Sequence, residues 1–389
     1  MMKIVMAYFE NFAGCIGGLE RILCNFSNAM VEKGHKVYII TNDEHDGKSY
    51  YYLMPSVKVI NLCQIVGGER TLTLKQKMIR ETFRLFGRKY VKVWKEQCKN
   101  GYIKKILPRI LDRIHPDIIV SYNNETTGQL YRASIRFPYV TMLHNDPSIL
   151  CKVMTKAEKK GFKSSKFLQV LTPKFIESIK IFFPESNIIY IPNEVTQYNY
   201  LHREFEKEHT IICVARLNKK QKRQDLLIQA FSKIANEYPA WNLKFFGIGD
   251  KKYTYELKNL IEKNGMKNRI FLMGQTQNIE QVYRDAEVFA FPSAFEGFGL
   301  ALVEAMSAGL PCIGYKSATA VNEIIEDGEN GILVNDGVDS LADGLSMLLR
   351  DSALRDRMGK YAHNYAKAYA PQNIWKKWEK VLLESANGN

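Results

Sequence analysis

Residues 287–311 read Glu-Val-Phe-Ala-Phe-Pro-Ser-Ala-Phe-Glu-Gly-Phe-Gly-Leu-Ala-Leu-Val-Glu-Ala-Met-Ser-Ala-Gly-Leu-Pro, and they decide the fold class. Glu287–Phe291 reads as a buried strand. A Gly-rich loop follows, then a helix that Gly309 and Pro311 stop. A loop at the carboxyl end of a parallel strand is where open α/β sheets bind ligands. Gly297 and Gly299 let backbone approach a ligand closely, and the helix start offers free N–H groups and a dipole that favour an anion. Glu296 lies in the loop and Glu304 in the helix, with seven residues between them. Carboxylates on either side of an anion site suit a ligand with both phosphate and hydroxyl groups, such as a sugar nucleotide. Val303, Ala305 and Met306 flank Glu304, so it is expected to be buried and to need a partner. On spacing alone, two solvated glutamates remain the alternative.

The same alternation extends outward in both directions. Strand Ile4–Tyr8, the loop Ala13-Gly14-Cys15-Ile16-Gly17-Gly18, a helix over 19–32 and strand Lys36–Thr41 form a β-loop-α-β unit. The loop departs from the Gly-x-Gly-x-x-Gly dinucleotide fingerprint. Further strands are expected at 57–60, 117–121, 138–143, 167–171 and 188–192. Residues 194–209 are polar, lack periodicity and read as a linker. A second series begins with strand Thr210–Val214, the basic loop 216–223 and a helix over 224–238. Strand Asn242–Phe246, the turn Gly247-Ile248-Gly249-Asp250, a helix over 253–264 and strand 269–273 before Gly274 follow. After Pro311 come strands at 312–315 and 332–334 and a last helix at 371–385 with Trp375 and Trp378. The expected architecture is α/β: two doubly wound, Rossmann-like domains facing a central cleft. Their expected limits are 1–195 and 196–370, with a helix at 371–389 crossing back to the first domain.

Composition narrows the function classes. The 389 residues are too many for one ordinary core. No segment has the apolar length of a membrane span, and Glu10 and Asn11 cut the N-terminal apolar run too early for a signal peptide. The seven cysteines are scattered without a Cys-x-x-Cys, which suits reduced thiols and a cytoplasmic location. No histidines show metal-ligand spacing.

Charge is uneven. Residues 1–195 hold 30 Lys and Arg against 17 Asp and Glu, while residues 196–389 hold 25 against 24. The excess peaks over 70–113, with 14 basic and 3 acidic residues interleaved with leucines and aromatics. A second cluster, Lys152–Lys166, sets six lysines against Glu158. A solvated helix face, adhesion to an anionic membrane leaflet and nucleic-acid binding all fit such a stretch. The interleaved aromatics favour the membrane, and no nucleic-acid motif accompanies the charge.

Gly17-Gly18, Ala215-Arg216-Leu217 with Lys222, Gly247-x-Gly249, Gly274 and Glu296-Gly-Phe-Gly through Glu304 to Gly309-Leu-Pro311 stand in one order. Together they resemble the retaining family-4 glycosyltransferases of GT-B fold, especially those building bacterial surface polysaccharides. The likeness runs over essentially the whole chain and is strongest from 210 to 335. It implies that Arg216 and Lys222 grip the donor diphosphate, that Glu304 bonds the ribose hydroxyls and that Glu296 contacts the donor sugar beside the reaction centre. The backbone of Phe298, Gly299 and Leu300 would receive sugar and phosphate, Gly17 and Gly18 would close over the diphosphate, and His144 would face the donor sugar. It further implies retention on one face of the sugar, the leaving phosphate assisting the incoming hydroxyl.

The leaving group of such a transfer is a nucleoside diphosphate, whose developing charge many transferases neutralise with a metal held by Asp-x-Asp. Here the nearest pair, Asp327 and Glu329, sits in a Gly-rich turn and reads as structural. With no metal and no other cofactor expected, preorganised cations and amides must do that work. Carboxylates repel diphosphate, so Glu296 and Glu304 belong at its hydroxyl-bearing ends. The expected substrates are a nucleotide sugar, uridine favoured, and a glycan or lipid-linked glycan at the inner membrane face. A sugar-nucleotide epimerase or hydrolase of similar fold is the alternative enzyme, and a basic nucleic-acid-binding protein the alternative outside enzymes. One departure falls at 314–323, where the family often has glycines before a glutamate. Here Gly-Tyr-Lys-Ser-Ala-Thr-Ala-Val-Asn leads to Glu323.

Overall fold

A computed structural model describes residues 1–67, 74–94, 100–198 and 209–387. The chain forms two compact units, Met1–Pro192 with the segment from Ile374 onward, and Asn193–Asn373.

The first unit is built on a seven-stranded sheet in the order β3-β2-β1-β4-β5-β6-β7. The strands are β1 Lys3–Tyr8, β2 Lys36–Thr41, β3 Lys58–Asn61, β4 Ile118–Ser121, β5 Tyr139–Met142, β6 Leu168–Val170 and β7 Ile188–Tyr190. All pairings are parallel. Strands covered on both faces must be apolar throughout, and Ile4, Val5, Met6, Ile118, Ile119 and Val120 have no measurable exposure. The C-terminal helix Pro371–Asn387 closes this unit: Trp375 stacks on Phe26 with centroids 5.2 Å apart, Trp378 lies 4.8 Å from the same ring, and Glu379 pairs with Lys33 at 2.7 Å.

The second unit carries a six-stranded parallel sheet, order β10-β9-β8-β11-β12-β13. Its strands are β8 Thr210–Val214, β9 Asn242–Phe246, β10 Ile270–Gly274, β11 Val288–Phe291, β12 Cys312–Tyr315 and β13 Gly331–Val334. Strand order reverses between β8 and β11, the switch point at which such sheets take their ligands.

The basic stretch resolves into three helices, Leu74–Leu85, Arg88–Trp94 and Ile103–Ile114, and its residues 70–73 and 95–99 lie outside the described ones. They do different things. Ile103, Leu107 and Leu111 are wholly buried in the core with Val5, Ile40 and Ile119, so in this helix the apolar face serves the fold and the lysines are solvated. The helix Leu74–Leu85 buries no residue and leaves Leu74, Met78 and Leu85 exposed. In the second basic cluster, Glu158 is structural. It closes a capping box with Thr155 and accepts from the Asn124 amide.

The segment expected to be a linker is packed where it is described. Glu194 and Val195 are buried, and the Val195 N–H donates to the Tyr369 carbonyl at 2.9 Å. Residues 199–208 of it lie outside the described ones. The six described cysteines are all free thiols. Among the described residues, no helix is long and apolar enough to cross a membrane.

Candidate active site

The carboxyl ends of β8 and β11 deliver the basic loop and the Glu296 loop to one edge of the second sheet. Beyond β8 the chain stays extended, Ala215 N–H donating to the Phe246 carbonyl and Leu217 N–H to the Ile248 carbonyl, both at 3.0 Å. Gly247 and Gly249 make this possible. A Cβ on either would overlap the carbonyl oxygen of Ala215 or Leu217, and Gly247 has φ of 141°. Gly247 N–H donates in turn to the Gly274 carbonyl at 2.7 Å. The three glycines that stand apart in sequence thus form one backbone platform under Arg216. They line a cavity of about 520 Å3 together with Leu217, Tyr255 and Lys258. Arg216 itself is exposed, and among the described residues its guanidinium makes no ion pair or hydrogen bond.

Residues 218–224 fold back tightly. Asn218 accepts from Gln221 N–H through its side chain, at 2.9 Å, and from Lys222 and Arg223 N–H through its carbonyl, at 2.8 and 3.1 Å. Buried Gln224 accepts from Asn218 N–H at 3.2 Å and donates to the Arg216 carbonyl at 2.9 Å. This places the Lys222 ammonium 4.7 Å from the centre of the Phe291 ring and in an ion pair with Glu296. The two side chains are 13% and 8% exposed. Two cross-links hold the Glu296 loop from its flanks: Ala294 N–H to the Gln221 carbonyl at 2.7 Å and Glu296 N–H to the Thr319 carbonyl at 3.1 Å.

Gly299, with φ of 86°, starts the helix Leu300–Ser307. Phe298 is buried against Tyr369, centroids 5.5 Å apart. Phe298, Gly299 and Leu300 therefore stand at the helix start, where the first N–H groups lack helical partners. Glu304 lies further along, buried, and its Oε2 accepts from the Tyr283 hydroxyl at 3.0 Å. The paired carboxylates end up on opposite sides of one helix N-terminus.

Two neighbours were not visible in the motifs. Tyr283, wholly buried, is the partner that buried Glu304 required. Arg223 donates to the carbonyls of Pro292 and Ser293, each at 3.0 Å, and to Asp336 at 2.9 Å, so it buttresses the Glu296 loop. Its position beside Lys222 was the available signal.

Gly17, Gly18 and His144 stand on the carboxyl edge of the first sheet. Gly17 caps the helix Gly18–Glu32, and the preceding loop is held by Asp43, whose Oδ1 accepts from the N–H groups of Phe12 and Ala13. His144 follows β5 and stacks on Tyr122 at 5.6 Å. Its Nε2 is buried with no partner among the described residues. Burial pushes its pKa down to about 4, so the imidazole is neutral at pH 7.

Asp327 behaves as a turn residue, accepting from Leu333 N–H at 2.9 Å. Among the described residues no group of three or more His, Cys, Asp or Glu side chains is arranged to hold a metal.

Residues 201–365 match the family of group 1 glycosyl transferases. Fold and match together define the class: the chain is a GT-B protein whose second unit carries a group 1 glycosyl transferase domain. Over 197 residues, half of the chain, it is 36% identical to an exopolysaccharide phosphotransferase of Streptomyces coelicolor and covers 20% of that protein. Its fold is similar over its full length to a sucrose-phosphate synthase of Thermosynechococcus elongatus, all of which is covered, with a TM-score of 0.77 and 16% identity. It is also similar to the pneumococcal O-GlcNAc transferase GtfA in complex with UDP and GlcNAc, TM-score 0.75 and 14% identity over 99% of both chains. The chain spans between a fifth and just over half the length of the first curated relatives it matches.

Proposed function

We propose that the protein is a retaining, metal-independent glycosyltransferase that moves a sugar from a nucleoside-diphosphate donor, uridine favoured, to a glycan or lipid-linked glycan of the cell surface. The observation that carries this reading is the shielded Lys222–Glu296 pair beside the N-terminus of the helix Leu300–Ser307. A diphosphate arriving there meets the Lys222 ammonium, the exposed Arg216 and the helix N–H groups. These supply the countercharge as negative charge develops on the leaving group. Lys222 then exchanges one anion for another, and Glu296 is released to accept from the sugar hydroxyls. Buried Glu304 takes the ribose hydroxyls. The cavity over Gly247, Gly249 and Gly274 suits the base, because flat backbone and apolar walls accept an aromatic ring.

In the first unit, Gly17 and Gly18 are proposed to contact the diphosphate and His144 the donor sugar. A neutral His144 offers a hydrogen bond without adding charge. Uridine is favoured because a fold relative was solved with UDP.

The helix Leu74–Leu85 is proposed to rest on the anionic inner face of the cell membrane. Leu74, Met78 and Leu85 recur on one face, with Lys75, Lys77 and Arg84 beside them. Nucleic acid is not proposed as a partner.

The test pairs binding with turnover. A thermal-shift series with UDP, GDP and ADP identifies the base, and labelled donor is then followed into glycan with wild type, Arg216→Ala and Glu296→Ala. Loss of transfer in both variants is the expected result. Transfer unchanged in both removes the site assignment, and no shift with any nucleotide removes the donor class.

A further inference from the structure

The first unit has a second built cavity, about 620 Å3, at the ends of β2 and β3. The segment 46–55 walls it with three consecutive tyrosines, and Thr41, Asp43 and Asn61 close the other side. Its chemistry specifies a ligand.

Tyr50 and Tyr52 are 46% and 74% exposed, and Tyr50 meets Tyr51 edge to face at 5.2 Å. Such rings offer apolar faces with polar tips. Asp43, Asp46 and Asn61 add oriented acceptors and an amide. Thr41 is the most telling residue. It is wholly buried, and its hydroxyl has no hydrogen-bond partner among the described residues, a state that is costly unless a ligand supplies one. Lys48 is the one basic residue in the lining, set against Asp43 and Asp46, so an anionic ligand is disfavoured. A purely apolar chain would leave the carboxylates and Thr41 without partners. A pyranose ring satisfies every group: its C–H face covers a tyrosine ring and its hydroxyls bond the carboxylates, the amide and the threonine.

We propose that this cavity is a sugar subsite that holds one neutral pyranose ring. Calling it the acceptor subsite rests on the proposed transferase function; the sugar binding itself does not. The cavity wall is also bonded to the Gly17–Gly18 loop. Ala13 and Ser49 form an antiparallel bridge, Gly14 N–H donates to the Lys48 carbonyl at 2.9 Å, and Asp43 accepts from Ala13 N–H at 2.7 Å. A sugar seated against 46–55 therefore bears on the loop assigned to the donor diphosphate.

Saturation-transfer NMR on the full chain tests this, with the methyl glycosides of glucose, galactose and N-acetylglucosamine as probes. Wild type is expected to transfer magnetisation to the ring protons of at least one. Tyr50→Ala/Tyr52→Ala, which alters exposed side chains, is expected to weaken that binding about tenfold, while Tyr361→Ala, an exposed tyrosine of the other unit, leaves it unchanged. Thr41→Val is expected to weaken it and Thr41→Ser to restore it. No transfer to any of the three, or transfer unaffected by the double tyrosine variant, overturns the proposal. A UDP thermal shift measured alongside separates the two readings. Glycoside binding without a UDP shift leaves the subsite standing and removes the transferase, and a UDP shift without glycoside binding does the reverse.

Discussion

Lys222 and Glu296 neutralise each other inside the candidate site, the ammonium lying over the Phe291 ring and both side chains almost wholly shielded from water. They stand 74 residues apart in sequence, on loops that follow the two strands flanking the point where strand order reverses. A cation and a carboxylate each held ready for a different part of one ligand are, without it, held for one another.

Breaking the pair should therefore cost stability as well as activity. Lys222→Ala strands a shielded carboxylate and is expected to lower stability by about 3 kcal/mol, read as a shift in the denaturant midpoint. Lys222→Met combined with Glu296→Gln removes both charges and should recover most of that loss. Neither variant should recover transfer, which is expected to fall about 100-fold or more when the cation or the carboxylate is missing. Recovery of activity in the double variant would show that the pair is scaffolding only.

His144 gives a pH signature. Its pKa is held near 4 in the folded chain, against about 6.5 for an unperturbed histidine. Above the unfolded value both states are neutral, and the group leaves stability unaffected by pH. As pH falls from about 6.5 to about 4 the unfolded chain takes up the proton first, so stability drops across that window. Comparing urea midpoints of wild type and His144→Gln at pH 7 and pH 4.5 isolates the effect, expected to be on the order of 2 kcal/mol at the lower pH. An imidazole resonance that titrates near 6.5 in the folded protein would contradict the burial argument.

The glycine platform makes a graded prediction. Gly274 has φ of 73° but open space where a Cβ would go, so Gly274→Ala should cost only the left-handed penalty, ~1 kcal/mol. At Gly247 the new carbon would strike the Ala215 carbonyl, and the strand end under Arg216 would have to move. Gly247→Ala should thus be the more damaging in melting temperature and in the UDP thermal shift. Equal effects would mean that the close approach of the two backbones is unimportant.

Local signals carried most of the fold. Each of the thirteen strands falls within two residues of its expected limits, because strands buried on both faces leave apolar runs with Gly and Pro at their ends. The loop carrying Glu296 and the helix carrying Glu304 were legible for the same reason. Long-range partners were not. Nothing near Glu304 in sequence points to Tyr283, and nothing near Glu296 points to Thr319 or to the Lys222 ion pair, since these contacts exist only once strands are placed side by side. The basic stretch shows a second limit. A leucine-rich face reads the same whether it meets a protein core, as at Leu107 and Leu111, or is left exposed, as at Leu74 and Met78.

That contrast defines the last prediction. In the helix Leu74–Leu85, Ile79 and Phe83 are half-buried while Leu74, Met78 and Leu85 are 81%, 71% and 86% exposed. The exposed set recurs at i, i+4 and i+11, one helix face. Lys75, Lys77 and Arg84 add positive charge beside it, each basic residue near an anionic surface contributing about 1 kcal/mol. The protein is expected to sediment with vesicles containing phosphatidylglycerol and to stay in solution with phosphatidylcholine alone. Leu74→Ser/Met78→Ser/Leu85→Ser should weaken that binding even at low salt, because it removes the inserted groups and leaves the charge. Lys75→Gln/Lys77→Gln should weaken it most as salt rises. A basic surface acting through charge alone would bind equally well with the three serines in place, and the apolar face would then have no part in holding the protein at the membrane.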